Sequence, residues 1–451
     1  MTPPDSEGAP PPLGLFEGFG VEIEWMIVDA ASLDVRPVGD RVLGEDGEVD
    51  RGAMAWSNEL VLHVLEVKTQ GPASTLDGLA GAFHAEVLEA ERRLAPHGCR
   101  LLSGAVHPWM DPDRETRIWP HEYTEVYHAF DRVFGVRGHG WANLQSTHLN
   151  LPFSGDAEFA ALHQAIRLVL PLVPALSAAS PVLDGVVQPN LDERMERYRV
   201  NSRRIPSVAG GVVPRVVRSR RAYEGELLQE IYEDLAPHDP SGTLRHEWVN
   251  ARGAIARFQR GAVELRVIDA QEAPALDLAV LWLVVEAVRR MVRVGLDGVD
   301  DGSVGAAAAG ALELPSTRAL QDLLTDTVRD AERAPLLGPG SARRPGGGRA
   351  RAEALAPILA ALGVEDARPR DAGELWMAVA QGMEEGPEAR GLVTSLLDQG
   401  PLARRLLRSL ARRMGVDGRE LGPGEAVPRH MLRDTWEEVA GALRENRAFV
   451  P

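Results

Sequence analysis

Residues 20–29 read GVEIEWMIVD. Val21, Ile23, Trp25 and Ile27 alternate with Glu22, Glu24, Met26 and Val28, the period of two that marks a strand. One face is apolar and suited to packing on helices. The other carries Glu22 and Glu24, two residues apart, so both carboxylates leave on the same side. Glutamate is disfavoured in strands, and like charges this close repel unless a cation lies between them.

Two further segments repeat the pattern. Residues 141–153 read WANLQSTHLNLPF, with Ser146, His148 and Asn150 on one face and Thr147, Leu149, Leu151 and Phe153 on the other. Residues 261–269 read GAVELRVID, with Glu264 and Arg266 opposite Val263, Leu265 and Val267. Each pair alone reads as an amphipathic strand with a solvated polar face. Three such strands, each with a greasy back, predict one sheet whose polar side is an acidic, metal-binding trough. A fourth segment, 58–69, reads NELVLHVLEVKT. Glu59 and Glu66 are seven apart, so a straight strand puts them on opposite faces; a bulge, turn or break is needed if both serve one site.

The chain has 451 residues, which predicts up to three domains or one large domain with an appendage. Acidic residues outnumber basic ones 66 to 49, a formal charge of −17. That balance argues against nucleic acid or an anionic membrane as a partner. Lys68 is the single lysine, so 48 of the 49 basic residues are arginine. A Walker A loop needs a Gly-Lys pair, and the sequence has none. If this protein handles nucleotide, arginine and metal hold the phosphates. The lone Cys99 excludes an internal disulfide framework and reads as a buried strand thiol. The start, MTPPDSEGAPPP, lacks the features of a signal peptide. No apolar run approaches a membrane span, and a cytoplasmic protein is expected.

Residues 1–13 read as a disordered leader and 14–297 as an α+β catalytic body. Within that body, 79–95, 156–180 and 274–294 are helical, 99–107 is a strand, and 181–245 resembles a long elaborated loop region. Residues 334–349 are a Pro/Gly-rich linker, within a helical C-terminal region, 298–451. Helices are expected there over about 317–333, 351–362, 373–385, 390–414 and 428–447.

A site with several glutamates and one histidine suits Mg²⁺ or Mn²⁺ rather than zinc. Such ions neutralise the phosphates of ATP and polarise a transferred phosphoryl group, and Arg266 stands beside the acidic face.

GVEIEW, NELVLHVLEVKT, SGAVHPW, STHLNL, LPLVPALSAASP and VELRVIDAQ occur in this order. The set resembles the carboxylate–amine ligases of the glutamate–cysteine ligase type 2 family, in the glutamine-synthetase-like superfamily, over about residues 14–295. The resemblance implies a curved, largely antiparallel sheet backed by helices. It implies ATP and divalent metals in the trough and amide formation through an acyl phosphate, with glutamate as the first candidate acid. Residue by residue, it implies metal ligation by Glu22, Glu24, Glu59, Glu66, His148 and Glu264. Glu66, Glu264 and Arg266 would carry catalysis, with Arg266 and His148 facing phosphate. It also implies that a break resolves the parity of Glu59 and Glu66. The family's usual H-V-H-V is here His148-Leu149-Asn150-Leu151, which bears on the substrates. Substrates would be a small amino acid and an amine, or a peptide or protein carboxylate; a non-catalytic scaffold binding metal or nucleotide is the third reading. A homo-oligomer is expected.

Secondary candidates fill out the site. His107, in the His-Pro-Trp motif, is either a structural turn or a substrate contact. The cluster Arg194, Arg197, Arg199, Arg203 and Arg204 with Tyr198 offers bidentate forks for carboxylate or phosphate. Arg203 and Arg204 are the first choices for nucleotide or carboxylate, and Arg194, Tyr198, His107 and Asn150 for substrate. Arg404, Arg405, Arg408, Arg412 and Arg413 read as a solvated or subunit-facing stripe.

Overall fold

Val21, Ile23, Trp25 and Ile27 are fully buried, and the strand they define, β1 (Gly20–Asp29), lies at the middle of an eight-stranded sheet. The computed structural model describes residues 12–296, 314–336, 347–416 and 418–451. The other strands of this sheet are β2 (Glu48–Asp50), β3 (Met54–Asn58), β4 (Val64–Thr69), β5 (Cys99–Leu102) and β6 (Ser146–Pro152). The short hairpin β7 (Val182–Leu183) and β8 (Val186–Val187) stands apart, and β9 (Ala254–Arg257) and β10 (Ala262–Asp269) complete the main sheet. Its order is β2-β3-β4-β1-β6-β10-β9, with β5 pairing the end of β1, and every pairing is antiparallel.

Register gathers the polar residues. Glu22 lies opposite Lys68 on one side and His148 on the other; Glu24 lies opposite Glu66, which faces Ser57; Asn150 lies opposite Glu264. Directly paired residues share a face, so these side chains form one polar floor. Gly20 faces Asn150 so closely that an added Cβ would stand 2.9 Å from the Asn150 Cβ. Between Leu265 and Ile268 one extra residue bulges out of β10, and the parity flips. Asp269 therefore pairs with Ser146 and joins the same face.

The apolar face packs on helices α1 (Leu79–Leu94) and α3 (Gly155–Val169), while α2 (Thr124–Phe134) and α4 (Glu193–Asn201) edge the site. Helix α5 (Pro274–Leu296) packs along α1 and α3, since it is apolar on nearly every side. Among the described residues, α6 (Thr317–Asp330), α7 (Gly347–Leu362), α8 (Ala372–Gln381), α9 (Pro387–Gln399), α10 (Leu402–Arg413) and α11 (Arg429–Glu445) follow. Helices α7, α8 and α9 pack on α5, and α11 packs on α1 and β5. Residues from both sides of position 297 thus share one apolar cluster. A second cluster joins Met26 and Val28 to Leu406, Leu410 and Trp436, which is why the far end of β1 is buried on both faces.

Several sequence expectations change. The segment 58–69, which alone reads as one buried strand, carries the break that the resemblance implies: β3 ends at Asn58 and β4 begins at Val64. The region 181–245 is not mainly loop, because it holds α4 and a continuous helical run from Arg220 to Leu235. Its weak periodicity reflects short helices and a π-helical turn over Tyr223–Leu228, which shifts the apolar face partway. The expected helix over 390–414 is two helices, parted at Gly400-Pro401, where proline cannot continue the ladder. The arginine stripe on α10 is not uniformly solvated. Arg404 pairs with Glu332 and, at 2.9 Å, with Glu420; Arg405 pairs with the fully buried Glu272. Residues 1–11 of the expected leader, the boundary at 297, and 337–346 of the expected linker lie outside the described residues. Among the described residues, no helix is long and apolar enough to cross a membrane.

Candidate active site

The polar floor opens into a cleft of about 690 Å³, walled by α2, α4 and the 3₁₀ turn Glu247–Val249. His148 sits at its centre. Its Nδ1 lies 3.1 Å from Glu22 Oε2, and its Nε2 lies 2.9 Å from the Ser146 hydroxyl. The Ser146 backbone N–H donates to Glu24 at 2.8 Å, and the Ser57 hydroxyl donates to Glu66 at 2.6 Å. Glu264 receives Arg266 on one oxygen at 2.7 Å and Arg257 on the other at 3.0 Å. Glu59 lies in the break between β3 and β4, and that break turns it toward the same cleft.

Burial works to raise the Glu22 pKa, but the hydrogen bond and charge of His148, helped by Arg260 and Lys68, bring it down to about 2. Burial likewise opposes protonation of His148, and Glu22 with Glu24 outweighs it, so its pKa lies above the usual histidine range. Glu66 is pushed up to about 7, first by burial and then by Glu22. Glu59 is raised well above the carboxylate range by desolvation and by Glu24 and Glu66. A floor on which carboxylates raise one another's pKa is short of positive charge.

The donor set fits hard divalent cations. Glu22, His148 and Glu264 offer ligand atoms within 4.8 Å of one another, and so do Glu24, Glu66 and His148. Two oxygen-rich groups sharing one imidazole suit Mg²⁺ or Mn²⁺.

The sequence profile of glutamate–cysteine ligase family 2 matches residues 18–338. The chain belongs to this family. It is 34% identical over 266 residues to an uncharacterized protein of Archaeoglobus fulgidus, covering 58% of this chain and 71% of that protein. It is 27% identical over 173 residues to a Dechloromonas aromatica protein provisionally named glutamate–cysteine ligase 2, covering 37% of this chain and 42% of that one. Among solved structures, a bifunctional glutathione synthetase from Pasteurella multocida shares the fold, with a TM-score of 0.53 at 14% identity. That match covers 94% of this chain and 53% of the synthetase. The α+β architecture with an open antiparallel sheet is that of this ligase family.

The structure brings the expected residues Glu22, Glu24, Glu59, Glu66, His148, Glu264, Arg266, Arg194 and Tyr198 together around the cleft. Arg194 lies deep within it, paired with Asp269 across the flipped parity of the bulge. Asn150 belongs to the floor but does not line the cleft; it donates to Glu22 at 3.2 Å, and its buried Oδ1 accepts no bond among the described residues. Three candidates are placed elsewhere. His107 is buried with its Nε2 2.8 Å from the Leu33 carbonyl, so it braces a turn. Arg204 donates to the carbonyls of Arg132 and Val133 at the end of α2, the usual role of a cation at a helix C-terminus. Arg203 is exposed and does not line the cleft.

Sequence reasoning passed over Arg257, Arg260 and Lys68, which line the cleft, and the aromatic residues of α2. The first two flank a tight turn with Gly261 at positive φ, between β9 and β10. A short apolar run, a turn and a longer alternating run form a hairpin signal, which could have brought Arg257 to Glu264.

Proposed function

We propose that this chain is an ATP-dependent carboxylate–amine ligase, joining an amino-acid-like acid, glutamate first, to an amine through an acyl phosphate. The observation that carries the reading is the pair of three-ligand groups meeting at His148, with Arg266 and Arg257 converging on Glu264.

The chemistry divides into two displacements. A carboxylate oxygen of the acid attacks the γ-phosphorus of ATP, the bond to the β-phosphate bridging oxygen breaks, and ADP leaves. The amine nitrogen then attacks the acyl carbon, the bond to the phosphate oxygen breaks, and inorganic phosphate leaves. The surplus ammonium proton passes to a carboxylate of the floor, for which we assign Glu59, ionised once bound cationic groups offset Glu24 and Glu66. Glu22, Glu24, Glu66, His148 and Glu264 would hold Mg²⁺ or Mn²⁺, which would supply charge neutralisation of the phosphates. Arg257 and Arg266 converge on Glu264 at the edge of the floor, where they would also reach anionic oxygen. Their fixed forks suit a phosphoryl group or a carboxylate.

The test is ADP release by the purified chain with Mg²⁺, glutamate and pooled amines, with the product identified by mass. Amine-dependent release is expected, and Glu264→Gln should lower it by about 100-fold or more. Mg-ATP binding without turnover on amino acids, peptides or cell extract would overturn the reading in favour of a scaffold. A mass shift on a protein would move the acceptor from small molecule to polypeptide.

A further inference from the structure

The wall facing the acidic floor is aromatic. Tyr123, at the start of α2, and Val126, Tyr127 and Phe130 follow the i, i+3, i+4, i+7 spacing of one helix face, and all four line the cleft. Phe130 meets Trp141 at 5.4 Å and Trp248 at 5.7 Å between ring centroids, and His246 stacks on Trp248 at 5.4 Å. Val126, Tyr127, Phe130, Trp141 and Trp248 are only half-buried, and Tyr123 is 58% exposed at the mouth. Aromatic surface left open inside a polar cleft marks a place for an apolar ligand group.

The wall is joined to the floor at Glu59. The Asn58 side chain donates to the Tyr127 hydroxyl at 3.0 Å and to the Glu59 carbonyl at 3.2 Å, tying the aromatic helix to the break that presents Glu59. Among the described residues, the Glu59 carboxylate accepts only the Leu60 backbone N–H, at 3.4 Å. It therefore has free acceptor capacity beside the rings.

Charge separates the two ends of the cleft. Lys68 is held by Glu48 and Glu66, Arg194 by Asp269, and Arg257 and Arg266 by Glu264; Arg260 lies 3.9 Å from Glu22. The aromatic wall itself includes no arginine or lysine among its described residues. Arg257 reaches Glu247, beside Trp248, at 3.4 Å but is already shared with Glu264. A carboxylate-bearing acceptor would have to displace one of these pairs, whereas an amine carrying a ring would find the open acceptor oxygens of Glu59 at one end and apolar surface at the other.

We propose that the amine acceptor is a primary amine bearing an aromatic or extended apolar group, seated on Phe130, Trp141 and Trp248 with its nitrogen at Glu59. This inference rests on the ligase reading for its reaction. The aromatic wall selects the acceptor, while the metal floor handles the acid and the phosphate. Cysteine, with a small side chain and its own carboxylate, fits this end poorly.

The experiment compares phenethylamine, methylamine and cysteine as acceptors, with glutamate and Mg-ATP, in the parent chain and in Phe130→Ala and Phe130→Leu. ADP release gives KM for amine and for ATP, and tryptophan fluorescence gives phenethylamine binding without turnover. Phenethylamine should be the best acceptor. Phe130→Ala should raise its KM about tenfold, the size of one lost aromatic contact, with KM for ATP unchanged. Phe130→Leu should fall between, since it keeps apolar bulk at the same position. Circular dichroism checks that both variants are folded.

A rise in KM for ATP alone would overturn the proposal and assign the wall to the purine ring. Preference for cysteine, unmoved by either variant, would also overturn it. If phenethylamine quenches the parent but not Phe130→Ala, and no amine supports turnover, the subsite stands and the ligase reading fails.

Discussion

Glu22 and His148 are direct partners across β1 and β6, and the carboxylate meets the imidazole Nδ1 at 3.1 Å. Because His148 belongs to both ligand groups, whereas Glu264 and Glu66 belong to one each, single substitutions should separate the sites. In calorimetric titration with Mn²⁺, Glu264→Gln is expected to lose one of two binding events and Glu66→Gln the other. His148→Ala should weaken both. A variant pattern in which all three remove one and the same event would mean a single ion.

Cation binding should also stabilise the fold. The floor gathers carboxylates that the unfolded chain keeps apart, so a divalent ion binds the native state preferentially. At a free concentration about 100 times Kd, one site adds about 2.7 kcal/mol. Thermal unfolding should shift upward with Mn²⁺ in the parent and shift less in Glu264→Gln. An equal shift in both would place the stabilising ion elsewhere.

Much of this floor was legible because strand parity is a rigid rule. Glu22 with Glu24, Ser146 with His148, and Glu264 with Arg266 each needed only a period of two. Pairing between strands was not legible, so Arg257 opposite Ala262 and Lys68 opposite Glu22 went unseen. Glu59 shows the limit of parity, since its approach depends on a chain break between two strands that read as one run. Arg203 and Arg204 failed for the opposite reason. Clustering in sequence says nothing of direction, and α4 leads the chain past the cleft, so Arg204 reaches the end of α2 instead. The aromatic wall escaped because Tyr123, Tyr127, Phe130, Trp141 and Trp248 come together only in the fold.

His163 predicts an acid-sensitive core. It is fully buried against Phe159 at 5.3 Å and Tyr223 at 6.0 Å, and neither ring nitrogen has a partner among the described residues. Burial, then Arg167 and Arg252, bring its pKa down to about 4. Above the ordinary histidine range, near pH 6.5, both folded and unfolded states are neutral and nothing is lost. As pH falls from there toward 4, the unfolded chain takes up a proton that the native state refuses, so stability falls. The contribution is about 1.4 kcal/mol per pH unit over that window. Urea unfolding of His163→Phe should therefore depend less on pH than the parent, by roughly 2–3 kcal/mol between pH 7 and pH 4.5. Equal pH dependence would show that the ring is hydrated.

The last prediction concerns how the C-terminal helices are held. Arg405, 1% exposed, reaches from α10 to Glu272 just after β10 and also donates to the Phe449 carbonyl at 2.7 Å. Glu272 in turn accepts the Phe449 backbone N–H at 3.1 Å. One buried ion pair thus ties the end of the chain to the strand that carries Glu264 and Arg266. Removing one partner leaves an uncompensated charge in the core, at a cost of about 3–5 kcal/mol. Arg405→Met should destabilise the chain by that amount in urea unfolding. Arg405→Met with Glu272→Gln should recover much of it, because no lone charge remains. ADP release measured well below the unfolding midpoint should stay near the parent level in the double variant. A double variant as unstable as Arg405→Met alone would show that the hydrogen bonds to the chain end, rather than charge balance, hold the helices in place.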